Sequence, residues 1–191
     1  MITARFFAAA VFAGVLTAAA ATAQTTVPLA HFNSIELRGG GHVLLRHGAQ
    51  QRVTILQGST QYTRLAIEES GKLVIDACNS DCPMHYDLEI EIVAPDVRAV
   101  AISGGGRIES APGFPAQGSI TAAVNGGGTI DVRNLAAVNG TAAVDGGGHI
   151  EINTSEHLTA AVNGGGNIRY VGNPQVTTAV DGGGSVQREG G

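Results

Sequence analysis

The sequence has no tryptophan, three tyrosines and five phenylalanines in 191 residues. Phe6, Phe7 and Phe12 crowd near the start, which leaves only Phe32 and Phe114 for the rest of the chain. A folded core must therefore be assembled from Ile, Val, Leu and Ala. Charge is also scarce: Asp, Glu, Lys and Arg make up 14% of the residues, against roughly a quarter in an average soluble protein. Lys72 is the single lysine, and the formal net charge is -5. A basic footprint for nucleic acid is absent, and so is a polybasic patch for an anionic membrane. The 28 glycines do not recur at every third position, which excludes a collagen-like helix. A hydrophobic fraction of 43% excludes global disorder. There is no Gly-x-Ser-x-Gly elbow, no His-Glu-x-x-His and no phosphate loop, so the sequence predicts no catalytic residue and no cofactor.

Residues 1–23 read as a secretory signal peptide. Arg5 supplies a positive region, Phe6 to Ala21 is almost wholly apolar, and Ala21-Thr22-Ala23 is a small-x-small cleavage site before Gln24. The apolar run is about 16 residues, short for a bilayer span. No cysteine follows the cleavage site, so a bacterial lipid anchor is not indicated, and no later segment is long and apolar enough to cross a membrane. Cleavage removes one Arg and no acid. The remaining 168 residues hold 10 basic and 16 acidic side chains, a net charge of -6. The expectation is an exported, acidic, soluble protein of a bacterial periplasm or cell surface.

The main feature of the rest is a repeat. Glycine triplets begin at Gly104, Gly126, Gly146, Gly164 and Gly182, spaced by 22, 20, 18 and 18 residues, with an outlying copy at Gly39. The flanks repeat as well. Ala122-Ala123-Val124-Asn125, Ala142-Ala143-Val144-Asp145, Ala160-Ala161-Val162-Asn163 and Thr178-Ala179-Val180-Asp181 precede the last four triplets, and Ile130, Ile150, Ile168 or Val186 follows one variable residue later. Within each unit the pattern alternates. Ile120, Ala122 and Val124 stand against Thr121, Ala123 and Asn125, which is strand periodicity. A helix would lose about 1 kcal/mol at each glycine. One such unit cannot bury its apolar face, but stacked units can, with neighbours at about 4.8 Å. The sequence therefore predicts an all-β, stacked-coil β-solenoid (β-helix-like) with glycine-rich repeats of 18–22 residues. Val124, Val144, Val162 and Val180 form one interior ladder, and Ile130, Ile150, Ile168 and Val186 another. Asn-Gly and Asp-Gly between strands are also hairpin signals. The rival is an antiparallel meander, disfavoured because the flanks repeat as whole units.

Residues 24–191 are read as a single domain. Its part 27–97 is irregular and strand-rich, and 98–188 holds the repeat coils. Ile35-Glu36-Leu37, His42-Val43-Leu44-Leu45, Val53-Thr54-Ile55, Leu65-Ala66-Ile67, Leu73-Val74-Ile75 and Leu88 to Val93 are strand-like runs between turn residues. The order Phe32-Asn33-Ser34-Ile35, Gly41 to Gly48, Gly71-Lys72-Leu73-Val74-Ile75 and Ile90 to Val97, followed by units such as Ser103-Gly104-Gly105-Gly106-Arg107-Ile108, resembles the head GIN domain of putative autotransporter adhesins. The family unit reads Ser-Gly-Ser-Gly-x-Ile. Here its middle Ser is Gly, and its leading Ser is Asn or Asp in four copies. The resemblance covers about residues 32–188 and implies an all-β solenoid in exported bacterial proteins, with little about activity.

Three constellations are candidates for chemistry. Asn125, Asp145, Asn163 and Asp181 share one column with Ser103. They read either as a polar ladder for a glycan or cation, or as Asx residues chosen for turns. The column after the triplet holds His42, Arg107, Thr129, His149, Asn167 and Ser185, so Arg107 and His149 are further binding-face candidates. Calcium is disfavoured, because the acid precedes the triplet and each coil offers too few oxygens for six- to eight-fold coordination. Cys78 and Cys82, in an exported chain, point to a structural disulfide. The rival is a periplasmic copper or redox site of Cys78, Cys82 and His85, since thiolates suit Cu(I). Asp131, Glu151 and Arg133 are what a carbohydrate-active β-helix enzyme would need along one face. The leading expectation is a non-enzymatic, exported adhesin-like, ligand-binding or structural protein. Its partner is a glycan or an envelope protein, not nucleic acid, and the solenoid ends are a route to homo-oligomers.

Overall fold

The computed structural model describes residues 24–79 and 81–190; the expected signal peptide lies outside the described residues. The described chain is all-β, with no helix and so none that could cross a membrane. Its strands are β1 (Thr25–Val27), β2 (Ser34–Gly39), β3 (His42–His47), β4 (Arg52–Gln57), β5 (Arg64–Ile67), β6 (Lys72–Asp76), β7 (Glu89–Ala94), β8 (Ala99–Gly104), β9 (Arg107–Ser110), β10 (Gln117–Gly126), β11 (Thr129–Gly146), β12 (His149–Gly164), β13 (Asn167–Val171), β14 (Gln175–Asp181) and β15 (Ser185–Arg188). The alternation read from sequence is the alternation of burial. In β7, Ile90, Ile92 and Ala94 are buried and Glu89, Glu91 and Val93 are partly exposed.

The strands form one strongly curled sheet with two parallel columns. The first column runs β6, β2, β8, β10, the second half of β11, the second half of β12, β14. The second runs β7, β3, β9, the first half of β11, the first half of β12, β13, β15. One strand from each column makes a layer. Successive glycine-triplet units pair parallel and in register: Val124 with Val144, Val144 with Val162 and Val162 with Val180. Ile130, Ile150, Ile168 and Val186 are paired in the same way in the second column. Antiparallel pairing, the rival for the repeats, is confined to the other end, where β5 lies on β6, β4 on β7 and β1 on β4.

Two features differ from the sequence reading. The irregular first half contributes layers of its own, and out of chain order: β2 and β3 sit between the layer of β6 and β7 and that of β8 and β9. Val180 belongs to the valine ladder by register but is 46% exposed, while Val124, Val144 and Val162 are buried. It lies in the layer of β14 and β15, which among the described residues is paired on one side. Elsewhere one hydrophobic cluster runs from Phe32 to Ile168. Alanines 122, 142 and 160 are buried in it from the first column and isoleucines 130, 150 and 168 from the second. Each buried Val or Ile contributes about 1.5–3 kcal/mol relative to exposure.

The triplet makes the corner between columns, and its three positions have different constraints. The first glycine has positive φ: +123° at Gly104, +117° at Gly126, +118° at Gly146. A Cβ on Gly126 would lie 2.7 Å from the carbonyl oxygen of Gly104 in the layer before it. That oxygen accepts the Gly127 N–H at 3.0 Å, so the corner itself is hydrogen-bonded from layer to layer. A Cβ on the third glycine, Gly148, would strike Val124 Cγ1 at 2.4 Å. The middle glycines 105, 127, 147 and 165 would meet nothing within 4 Å. They have no positive φ. In the β6–β7 layer a loop over residues 77–88 replaces the triplet. It binds the next corner through Ala77 N–H to Arg38 C=O at 3.0 Å and His42 N–H to Leu88 C=O at 2.8 Å.

Substitution should separate these roles. Gly127→Ser is expected to leave stability unchanged or raise it by up to about 1 kcal/mol, by removing unfolded-state freedom. Gly126→Ala and Gly148→Ala should each cost more than about 2 kcal/mol through backbone strain and overpacking. Urea denaturation of the three variants checks this; equal losses at all three positions would contradict it.

Candidate functional site

Parity turns three rows of short side chains outward on the first column: Thr121, Thr141, Thr159 and Thr177; then Ala123, Ala143, Ala161 and Ala179; then Asn125, Asp145, Asn163 and Asp181. Ala101 and Ser103 continue the second and third rows into β8. The alanine row and the Ser/Asx row together line a shallow groove of about 730 Å³ along the stack. The Asx side chains are exposed, and Asn163 Nδ2 donates to Asp145 Oδ1 at 3.2 Å. Alternating Asn with Asp keeps carboxylates out of adjacent layers, where like charges directly opposite destabilise.

A charged cluster closes one end of the groove. Glu36 pairs in register with Ala101, and Arg38 with Ser103. The Glu36 carboxylate accepts Arg38 Nε at 2.7 Å and binds the Lys72 ammonium, and Ser103 Oγ donates to it at 3.4 Å. Lys72 also reaches Glu68 at 3.2 Å. Hydrogen bonding from Arg38, with Lys72 beside it, outweighs the effect of burial and holds the Glu36 carboxyl at about 2. The sequence reading passed over this cluster. Aligning Gly39 with the later triplets was the available signal, since it places Arg38 in the Asx column.

Arg107 and His149 are not with the Asx ladder. They stand on the second column in the row His42, Arg107, Thr129, His149, Asn167 and Ser185, across the glycine corner. Four members of that row have side-chain partners nearby. Ser185 Oγ donates to Asn167 Oδ1 at 3.0 Å, Asn167 Nδ2 approaches His149 Nδ1 at 3.3 Å, and Arg107 Nε pairs with Glu109 at 3.0 Å. Arg107, Thr129, His149 and Glu151 share a smaller pocket of about 320 Å³.

Asp131, Arg133 and Glu151 do come together, as an ion-pair cluster. Arg133 reaches Asp131 at 2.7 Å, Glu151 at 2.8 Å and Glu189 at 3.2 Å. Burial alone would raise the Asp131 carboxyl, but the hydrogen bonds and charge of Arg133 outweigh it and hold Asp131 below its usual value. An acid so held is ionised at neutral pH, the state of a carboxylate nucleophile or base and not of the proton donor that glycoside hydrolysis also requires.

Cys78 and Cys82 are joined in a disulfide with Cα atoms 5.9 Å apart, inside the loop that replaces the glycine corner. Their sulfurs are therefore committed to each other and not held as thiolate ligands. His85 is exposed on the same loop, and the described residues contain no grouping of His, Cys, Asp and Glu suited to a metal ion. The loop is anchored by Tyr86, which sequence reasoning did not single out. Its hydroxyl accepts the Ser59 N–H at 2.8 Å and lies 2.7 Å from Thr63 Oγ1, while Thr63 Oγ1 donates to the Ala77 carbonyl at 3.1 Å.

Residues 116–174 match the family described as "Putative auto-transporter adhesin, head GIN domain", so the resemblance read from the sequence is shown there. The structure is similar to that of a "putative adhesin" from Bacteroides fragilis, with a TM-score of 0.53 at 18% identity over 87% of this chain and 96% of that one. That likeness concerns the fold alone. A "putative adhesin" from Parabacteroides distasonis follows, with a TM-score of 0.43 at 17% identity over 87% and 96% of the two chains. No curated protein matches.

The Glu36 cluster makes a pH prediction. A carboxyl lowered from 4.5 to about 2 contributes stability above the unfolded value and loses it as pH falls through the folded one. Arg38 is 42% exposed, so screening trims the contribution to about 1–2 kcal/mol. Glu36→Gln should therefore cost about 1–2 kcal/mol at neutral pH. The gap to wild type should close between pH 4.5 and about 2. Thermal melts across that range test it; a gap that does not change with pH would contradict it.

Proposed function

We propose, for a chain whose residues 116–174 match the head GIN domain, a non-enzymatic, exported adhesin-like protein built as a single β-solenoid domain. In this reading it acts by binding: the groove along the first column holds an elongated polar ligand, such as an envelope glycan, lying parallel to the stack. The observation that carries the reading is the groove itself, floored by one alanine per layer and edged by one Asx or Ser per layer from Ser103 to Asp181. Small side chains keep the floor open. Amide and carboxylate oxygens at each layer offer repeated hydrogen bonds, each contributing about 0.5–1.5 kcal/mol net. A ligand that spans several layers collects several of them, which is how a shallow site without aromatic anchors holds a polymer. Secretion agrees with the N-terminal segment and with the disulfide of Cys78 and Cys82.

Filling the groove is the direct test. The full exported chain should retain envelope polysaccharide in a pull-down and select glycans on an array. Ala143→Tyr and Ala161→Tyr should each weaken retention at least about tenfold, with an unchanged melting temperature. His149→Tyr, on the second column, should have no effect. Binding that ignores Ala143→Tyr and Ala161→Tyr, or an absence of glycan binding, would overturn the reading.

A further inference from the structure

Charge is shared unevenly between the two columns. On the second, Glu91, Glu109, Asp131 and Glu151 are each paired with an arginine at 3.0 Å or less. On the first, β10, β12 and β14 contain no lysine or arginine, and the single arginine of β11, Arg133, belongs to the second-column cluster. Asp145 and Asp181 are exposed on the edge of the groove, and neither forms an ion pair among the described residues. The Asn163 amide donates to Asp145 but brings no charge. The one cation in their row is Arg38, which is shared among Glu36, Glu68 and Asp76. With Lys72 added, two cations meet three carboxylates at that end. The groove therefore has an excess of negative charge along its length.

Spacing adds a second constraint. Asp145 and Asp181 are two layers apart, with Asn163 between them. At about 4.8 Å per layer they recur about every 10 Å along the groove. An extended peptide advances by about 3.3 Å per residue, so its side chains fall out of step with the layers. An extended β-(1→4)-linked chain of pyranose sugars advances by close to one layer spacing per ring. Its successive rings are turned over, so the same edge of a ring returns at every second layer. That is the period of the two carboxylates.

We propose that the groove selects a cationic glycan, a β-(1→4)-linked chain of amino sugars whose ammonium groups pair with Asp145 and Asp181, a narrowing that rests on the reading of the groove as a glycan site. Asn125 and Asn163 take the intervening layers and hydrogen-bond the hydroxyls of the rings between. The alternation of Asn with Asp thus has a use beyond keeping like charges apart: it sets the period of the charge that the ligand must carry. The same carboxylates repel a polymer of uronic acids or phosphates. Two exposed ion pairs together change affinity by about threefold to tenfold, and screening by salt removes the effect.

Titration calorimetry of the full exported chain tests this, with β-(1→4)-linked hexamers of glucosamine, N-acetylglucosamine and glucuronic acid in a mildly acidic buffer that keeps the amines charged. The expected order is amine, then N-acetyl, then acid. The amine form should lead the N-acetyl form by about threefold to tenfold at low salt, and reach parity at about 1 M salt, where the screening length is about 3 Å. Asp145→Asn and Asp181→Asn together keep the shape of both side chains. They should bring the amine form to parity with the N-acetyl form at low salt, at an unchanged melting temperature. Equal affinity for the amine and N-acetyl forms, a preference that survives in the double variant, a tighter hold on the acid, or oligolysine binding more tightly than the glucosamine hexamer would overturn the proposal. Equal binding of all three hexamers that Ala143→Tyr still weakens would remove the charge inference alone, whereas no binding of any hexamer would remove the glycan reading with it.

Discussion

The contact between glycine corners of adjacent layers is the constraint on which the rest of the structure depends. From Gly39 to Gly146 the first glycine's carbonyl accepts the N–H of the middle glycine one layer on, and the next first glycine has no room for a Cβ beside that same oxygen. The corner therefore fixes both the spacing and the register of the two columns. Once it is fixed, identical side chains stack by necessity. Valine falls on valine inside, and alanine on alanine and Asx on Asx outside. The buried ladders supply the hydrophobic stabilisation, and the exposed ladders supply the groove. A side chain at the first or third corner position would push layers apart and would damage the core and the outer face together.

The same constraint explains the shape of the candidate site. A groove of this kind is a missing volume, produced by alanines in a row where a longer residue would fill the space. It ends where the repeat ends. On one side Glu36 takes the alanine position and is held by Arg38 and Lys72. On the other it reaches Ala179 and Val180 in the last layer. The ion-pair cluster around Arg133 and the His149–Asn167–Ser185 chain lie on the second column, where they link successive layers.

Much of this was legible in the residues because the repeat acts as its own alignment. The valine and isoleucine ladders, the Asx row and the outward parity of Thr and Ala all follow from the triplets and a period of two. Three things were not legible, each for a physical reason. The insertion of β2 and β3 between later layers depends on a long-range choice of strand partners, and the β6–β7 layer carries a disulfide loop in place of the triplet that would have marked it. The Glu36 cluster is assembled from β2, β6 and the turn at Glu68, so its members share no local motif. Tyr86 was invisible for the same reason, since its partners Ser59 and Thr63 are more than 20 residues away.

The account rests on parallel, in-register stacking of the glycine-triplet units, and solution NMR of the full chain with labelled valine methyls addresses it most directly. The prediction is a set of methyl contacts linking Val124 to Val144 and Val144 to Val162. No short Hα–Hα contacts should appear between strands of successive repeats. Strong Hα–Hα contacts there would mark antiparallel hairpins and would contradict the stacked arrangement, and with it the groove.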